Sequence, residues 1–366
     1  MAGVHCSRIE WTDFTWNPVT GCKHGCEYCY ARRIVSRFGP HPCERPIIEP
    51  LEVLPKGTGC YYVERPTKLC DENGEPVRST PYPKGFAPTY HAYTMDYPEK
   101  RKTPARIFVS SMGDLFGEWV PDIWIEDVFA ACKRAPQHTY LFLTKNPQRY
   151  CELANAGKLP TEPNFWYGTT VTHKGAPFFG EAIRYNTFLS IEPLMEDLEA
   201  GVGSFGGVRW VIVGAMTGTG SKAHQPKREW VENIVETARL TGAAVFMKDS
   251  MAPIWGPDLI REYPEGMVQV DGDASVEGNA WVGGNALVKG PRDIYWISCI
   301  GSRDGTTTFF RNANNGISVS CGCFYGTIDE FAAAVTKTHG DNEHARAYRH
   351  AIEIAKLRIK LKDAES

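Results

Sequence analysis

The sequence has little of what places a protein in a membrane or outside the cell. No apolar run in the 366 residues reaches the roughly 18 that a transmembrane helix needs. The first ten residues are polar and lack the apolar centre of a secretory leader. We therefore expect a cytoplasmic protein with no membrane partner. Its 12 cysteines then indicate metal ligands and free thiols rather than disulfides.

The sequence also lacks an excess of positive charge. Its formal net charge is −3, which argues against a uniformly basic surface for nucleic acid and leaves room only for a local basic groove. Apolar residues make up 42% of the chain, enough to bury a large core. Length and composition together predict one large domain with one or two small ones.

A third absence concerns a cysteine motif. Cys22, Cys26 and Cys29 have the spacing C-x3-C-x2-C, with Tyr28 before the last cysteine and no fourth cysteine. Three thiolates hold three irons of a [4Fe–4S] cluster and leave the fourth open, whereas the usual four-cysteine set leaves none. Structural zinc needs four ligands, and His24 lies inside the loop, where it cannot easily close the tetrahedron. The alternatives are therefore an iron–sulfur cluster, zinc or inert thiols.

Further runs accompany this motif: Ile9–Cys22, Phe108–Asp114, Phe142–Pro147, Ser190–Leu194 and Val213–Ala215. Together they resemble the phage-associated three-Cys-motif family, which is similar to radical S-adenosylmethionine (SAM) enzymes and has no known function. The similarity covers about residues 7–262 and is specific to the family, although the family name carries no substrate.

This resemblance implies a radical SAM enzyme. SAM would bind the open iron of a [4Fe–4S] cluster, and one electron from an external donor would cleave it to a radical that abstracts hydrogen from an unidentified substrate. The phage association and basic runs such as Arg32-Arg33 make a nucleobase or nucleic acid the candidate substrate. The alternative is a non-catalytic protein that carries a cluster or zinc and serves nucleic-acid binding or assembly.

The order of apolar strands and helices predicts an α/β fold. Short apolar strands alternate with amphipathic helices from residue 106, which is typical of a parallel sheet covered by helices. With a strand before Cys22, about seven strands are expected. We predict a partial or closed β/α barrel of the radical SAM type over 1–265, with an insertion at about 40–104 in which Cys60 could begin a hairpin. In such barrels the functional groups follow the C-terminal strand ends.

The boundaries of these elements follow from the apolar runs and the glycine and proline positions. The predicted strands are 106–110, 139–144, 165–171, 186–191, 208–213 and 244–247, and the predicted helices are 31–39, 123–134, 147–156, 178–183 and 230–240.

The candidate SAM-binding residues follow from the resemblance. Tyr28 would pack near the adenine, unless it is a simple core residue. Ser111, Gly113 and Asp114 stand where the family type has a Gly-Gly-Glu segment that binds the SAM ammonium group. This run has one glycine and Asp in place of Glu, and Asp114 is otherwise a helix-capping residue. Thr170 would bind the ribose, unless its hydroxyl only serves a turn.

Charged residues near the later strand ends complete the candidate site. Glu192 would contact SAM hydroxyls or form an ion pair with Lys145 or Arg184, because a charge in an apolar strand needs a partner. Lys145 and Lys248 are candidates for the SAM carboxylate or an anionic substrate. No residue is singled out as catalytic.

A different pattern starts near residue 270. Valine recurs every six residues from 270 to 288, which is typical of a parallel β-helix. We predict one such coil over 266–291, too short to bury its own core and open to oligomerisation. A small α+β module is predicted over 292–366. A second metal site remains an open alternative for the cysteines outside the motif, namely Cys43, Cys60, Cys70, Cys321 and Cys323.

Overall fold

The chain forms two compact units, Met1–Val268 and Gln269–Ser366. The computed structural model describes residues 5–6, 9–53, 56–181, 183–201, 204–218, 220–265, 267, 292–301, 305–312, 314–321 and 324–361. The β-helix coil predicted over 266–291 lies outside these residues except for Met267, and so does Cys323.

Strands and helices alternate along the first unit. Its strands are β1 (His5–Cys6), β2 (Phe14–Trp16), β3 (Val19–Thr20), β4 (Arg45–Pro46), β5 (Leu51–Glu52), β6 (Tyr61–Val63), β7 (Thr67–Cys70), β8 (Pro76–Thr80), β9 (Thr89–His91), β10 (Arg106–Val109), β11 (Thr139–Thr144), β12 (Phe165–Thr170), β13 (Asn186–Ile191), β14 (Trp210–Val213) and β15 (Ala244–Met247). Its helices are α1 (Tyr30–Phe38), α2 (Tyr97–Lys100), α3 (Asp122–Arg134), α4 (Pro147–Asn155), α5 (Arg228–Thr241) and α6 (Ala252–Trp255).

Seven of these strands form one parallel sheet. Their order is β2-β10-β11-β12-β13-β14-β15, and β1 joins the edge antiparallel to β2. The predicted strands from residue 106 to 247 are confirmed, with β11 and β13 at the predicted bounds. The outer strands β2 and β15 do not pair with each other in the described part of the chain. The sheet is therefore an open half-barrel, a partial barrel rather than a closed one.

Aromatic residues fill the concave side of this sheet. Trp11 lies just before β2, with its ring centroid 4.8 Å from Phe108 on β10 and 6.1 Å from Trp210 on β14. The Trp11 side chain thus lies against strands close to both lateral edges of the sheet, because the sheet curves around it. The same buried cluster includes Leu141, Trp166, Phe188 and Phe246.

Helices cover the convex side. Apolar residues recur at helical spacing on α3 and α5, so each helix buries one stripe against the sheet. On α3 this stripe includes Trp124, Ile125 and Val128, and on α5 it includes Val231 and Ile234. The sheet is thus apolar on both faces, which leaves its strand ends as the place for polar chemistry.

Residues 40–104 contribute β5, β6 and β9 to one small sheet, β3-β9-β6-β5, and form a second, β4-β7-β8. The prediction that a hairpin begins at Cys60 is wrong, because the strand that follows Cys60 is the second strand of a hairpin rather than the first. Strand β6 ends a hairpin with the preceding β5 and then pairs in parallel with β9. Strand β9 also pairs with β3, which leads into the cysteine loop. The first of these small sheets therefore adjoins the start of that loop.

The helix predicted over 178–183 is also wrong. The described residues of this stretch have turn or irregular backbone and belong to no helix. Pro177 precedes them, and the Phe179 backbone N–H donates to Thr169 Oγ1 at 3.1 Å instead of to a helical carbonyl. The Phe179 side chain is buried in the core, so tertiary packing sets the path of this segment.

The second unit is an antiparallel sheet with two helices. Its elements are β16 (Ile294–Ile300), β17 (Gly305–Arg311), β18 (Ile317–Cys321), β19 (Phe324–Thr327), α7 (Ile328–His339) and α8 (Glu343–Arg358). The strands pair in chain order, and both helices bury apolar residues in one cluster with the sheet. Among the described residues, no helix is both long and apolar enough to cross a membrane.

Candidate functional site

The C-terminal strand ends of the half-barrel surround one cavity of about 340 Å³. The cysteine loop follows β3, and the loops after β10, β11, β13, β14 and β15 reach the same cavity, as does the last residue of β12. This is where parallel β/α folds carry their functional groups. The residues predicted from the sequence all line it: Cys22, Cys26, Tyr28, Cys29, Ser111, Gly113, Asp114, Lys145, Thr170 and Glu192.

The three motif cysteines are free thiols of intermediate exposure. Burial raises the pKa of Cys22 to about 12, and Asp114, Cys26 and Cys29 add to the rise because negative charges near one another disfavour ionisation. Cys29 caps the N-terminus of α1, where its Sγ accepts from the Arg32 backbone N–H at 3.4 Å. A bound cation would offset the cost of ionising these thiols together.

The donor set suits a three-thiolate cluster, since three free sulfurs share one short loop beside a cavity that has room for a further ligand. Within the described part of the chain, no three His, Cys, Asp or Glu side chains are arranged to hold a metal ion. The loop would therefore have to bring its sulfurs together when a metal binds. Cys60 and Cys70 donate to the backbone carbonyls of Trp119 and Arg45, which accounts for them as ordinary buried thiols.

Asp114 is the most connected polar residue at the cavity, and it is 4% exposed. Its Oδ2 lies 2.8 Å from His24 Nε2 and accepts from Thr144 Oγ1 and the Lys145 backbone N–H, each at 3.0 Å. Its Oδ1 accepts from the Phe116 backbone N–H. Asp114 thus ties the cysteine loop to the ends of β10 and β11. With these four contacts it is better placed to position its neighbours than to hold a ligand.

His24 has a structural role that the sequence did not reveal. Besides the contact with Asp114, its ring packs edge-on against Trp119 at 4.9 Å between centroids. From the sequence, His24 was considered only as a poorly placed fourth zinc ligand, because nothing local shows that Asp114 lies beside it.

Two glycines allow the cysteine loop to approach the loop after β10. The Gly21 backbone N–H donates to the Met112 carbonyl, and Gly21 pairs with Gly113 as an isolated bridge. A Cβ on Gly113 would lie 2.9 Å from the Gly21 carbonyl oxygen, and Gly21 itself has φ +82°. Only glycine suits both positions.

Asn17 organises the neighbouring stretch, although the sequence assigned it no role. Its Oδ1 accepts from Ser111 Oγ at 3.1 Å and from the Met112 backbone N–H at 2.9 Å. Ser111 therefore donates to Asn17, while its carbonyl accepts from Tyr30 Oη. Burial of the hydroxyl group raises the pKa of Tyr30, so this phenol stays protonated as a donor, although the side chain as a whole is partly exposed.

Lys145 is a cation without an acidic partner in the described part of the chain. Its Nζ donates to Tyr28 Oη at 3.2 Å and lies 5.3 Å from the Tyr28 ring centroid. This contact holds the ammonium group at the cavity without neutralising it. Lys145 can therefore receive an anionic group of a ligand.

Glu192 forms an ion pair, but with a different residue from those predicted. Its partner is Lys248, at the end of β15, rather than Lys145 or Arg184. Strand β14 lies between β13 and β15, and the pair crosses its end at Gly214. A Cβ there would lie 3.0 Å from Lys248 Cδ and 3.2 Å from Glu192 Cγ. Gly214 thus makes room for the pair, which lines the cavity.

Comparison with known proteins gives a family without an activity. Residues 6–265 match a family described as a protein of unknown function, DUF5131. The match spans more than two thirds of the chain, and it includes the half-barrel and its cavity. No curated protein and no solved structure matches the chain.

Proposed function

The chain belongs to the DUF5131 family, whose function is unknown, and we propose from its site that it is a radical SAM enzyme. Its three cysteines would hold a [4Fe–4S] cluster, and SAM would occupy the adjoining cavity. The observation that carries the proposal is convergence: the C-x3-C-x2-C loop and the predicted cofactor residues from separate strand ends line one cavity.

The donor chemistry supports this proposal. Three thiolates from Cys22, Cys26 and Cys29 leave one iron of a cluster for an external ligand. When bound, such a cluster supplies the single electron that cleaves SAM. The protein's own part is to bind, orient and shield the reactants.

Charged side chains at the cavity would orient SAM. Lys145 presents an ammonium group to which the SAM carboxylate can bind, with Tyr28 fixing its position. The Glu192–Lys248 pair offers a carboxylate for ribose hydroxyls and a second cation beside it. Asp114 keeps His24 and the Lys145 backbone in place. Each group is held by a named partner, as a preorganised site requires.

Apolar residues would keep water from the reacting atoms. Trp11, Phe108 and Leu143 line the same cavity and belong to the aromatic cluster inside the half-barrel. Radical chemistry at an unactivated carbon needs such shielding, because the exclusion of water limits side reactions of the reactive intermediate.

Anaerobic purification with metal analysis tests the proposal. We expect about four iron and four sulfide per chain, and formation of 5′-deoxyadenosine from SAM after reduction with dithionite. Cys26→Ala should abolish both. Cys151→Ala, at a cysteine of similar exposure on α4, should change neither. An iron-free chain, or a Cys26→Ala variant with full turnover, would refute the proposal.

A zinc site is the second candidate, because of one contact. His24 Nε2 faces Asp114, which leaves Nδ1 for a metal, and a carboxylate-bound imidazole is a common zinc ligand. Three cysteines with His24 would then make a structural site in a non-catalytic nucleic-acid-binding or assembly protein. Zinc without iron in the same analysis would favour this candidate.

A further inference from the structure

Helix α1, which follows the cysteine loop, exposes an apolar stripe. Tyr30, Ile34 and Phe38 are 45%, 36% and 51% exposed and recur at every fourth residue. Residues at this spacing share one side of a helix. Large apolar side chains in such a stripe normally face a core, so an exposed stripe marks a binding surface.

The same face is positively charged. Arg33 and Arg37 lie three and seven residues after Tyr30, and the Arg37 guanidinium stands 5.5 Å from the Phe38 ring centroid. Helix α1 contains no acidic residue. In the described part of the chain, neither arginine forms an ion pair, whereas both arginines in the helical range of α5 do.

This face begins at the cavity. Tyr30 and Arg33 both line the cavity, whereas Phe38 lies two turns further along the helix. The Arg33 guanidinium also lies beside Gly218, in the loop after β14. From residue 214 to 228 the chain carries three cationic residues, Lys222, Lys227 and Arg228, and no Asp or Glu.

We propose that the outer face of α1 binds single-stranded nucleic acid and leads it to the cavity. Bases would stack on Tyr30 and Phe38, and phosphates would pair with Arg33 and Arg37. Alternating aromatic and guanidinium groups match a strand that presents both bases and phosphates, whereas a duplex hides its base faces. As a statement of substrate class, the inference rests on the proposed function.

Fluorescence anisotropy of a labelled oligothymidylate, titrated with the anaerobically purified full chain over a salt series, tests the inference. The double variant Arg33→Gln/Arg37→Gln should weaken binding and lower the slope of log affinity against log salt by about 1.4, since each single-strand phosphate contact contributes about 0.7. Phe38→Ala should weaken binding about tenfold and leave the slope unchanged, because it removes stacking alone.

Matched controls separate this surface from general charge effects. Arg134→Gln/Arg239→Gln removes the same net charge from α3 and α5, and Leu240→Ala removes an exposed apolar side chain from α5. Both should bind like the wild type. Absence of binding, equal losses in variants and controls, or a preference for duplex would overturn the inference. A protein partner lost on Phe38→Ala, with oligonucleotide binding unchanged, would assign the face to protein instead.

Iron analysis of the same samples separates the two proposals. A chain that binds the oligonucleotide through α1 but holds no iron would refute the radical SAM proposal alone. A chain that holds the cluster and cleaves SAM but does not bind the oligonucleotide would refute the α1 surface alone.

Discussion

Asp114 shows how a single buried residue connects the strand ends. Four donors converge on its carboxylate, from His24, Thr144, Lys145 and Phe116. A residue this enclosed must have its acceptors matched, because an unmatched buried polar group costs roughly 1–3 kcal/mol. The sequence placed Asp114 at the site but not in this role, since three of its partners arrive from other loops or strands.

Asp114→Asn should therefore destabilise the chain by about 2 kcal/mol, because the amide nitrogen would face a donor. Urea unfolding followed by circular dichroism measures this change. The control is Asp71→Asn, in an exposed turn where one oxygen accepts from two backbone N–H groups and an amide can keep that role. Equal stability of the Asp114 variant and the control would contradict the assigned role.

His91 gives a prediction about pH. Burial lowers its pKa to about 3, whereas an exposed histidine titrates near 6.5. Below pH 6.5 the unfolded chain binds a proton that the folded chain refuses, so this group's contribution to stability is lost as pH falls towards 3. The loss is about 1.4 kcal/mol per pH unit at most.

Urea unfolding at pH 7 and pH 5 checks the prediction. His91→Gln, which does not titrate, should lose about 2 kcal/mol less than the wild type over this interval. Thr20 Oγ1, which lies 2.9 Å from His91 Nε2, is present in both the wild type and the variant. The same pH dependence in the two proteins would show that His91 is protonated in the fold.

Strand ends carry the site, and their order explains the Glu192–Lys248 pair. Apolar runs identified the strands because local periodicity dictates them, and the rule that functional groups follow C-terminal strand ends gathered the candidate residues. The ion-pair partner of Glu192 could not be predicted from the sequence, because it depends on β13 and β15 lying on either side of β14. The helix predicted over 178–183 is wrong for a related reason. The burial of Phe179 and its backbone hydrogen bond to Thr169 outweigh the local helix propensity.

Gly214→Ala tests this strand-end geometry. The added methyl group would press on both Lys248 and Glu192 and displace the pair. We expect SAM affinity to fall about ten- to hundredfold with little change in fold, because displacements near 1 Å have effects of this size. Isothermal titration with SAM is the measurement.

The control for this substitution is Gly201→Ala. A Cβ at Gly201 would meet no atom within 4 Å, so the variant should bind SAM like the wild type. Unchanged SAM affinity in Gly214→Ala would show that the Glu192–Lys248 ion pair does not contribute to SAM binding.

At the scale of the whole molecule, the half-barrel unit holds the cavity and the family match ends near its boundary. The sequence predicted the α/β class and the meeting of distant residues at one edge of the sheet. It could not show that the sheet stays open, because closure depends on curvature rather than on any local pattern. Nor did it identify the exposed face of α1, because helical spacing alone does not tell an exposed stripe from a buried one.

Binding of SAM to an open iron is measured most directly by low-temperature EPR of the dithionite-reduced, anaerobically purified chain, recorded before and after addition of SAM. We predict a [4Fe–4S] signal that changes when SAM is added, because a cluster held by Cys22, Cys26 and Cys29 would leave one iron without a protein ligand. A cluster signal that SAM leaves unchanged, or reduced material with no cluster signal, would contradict it.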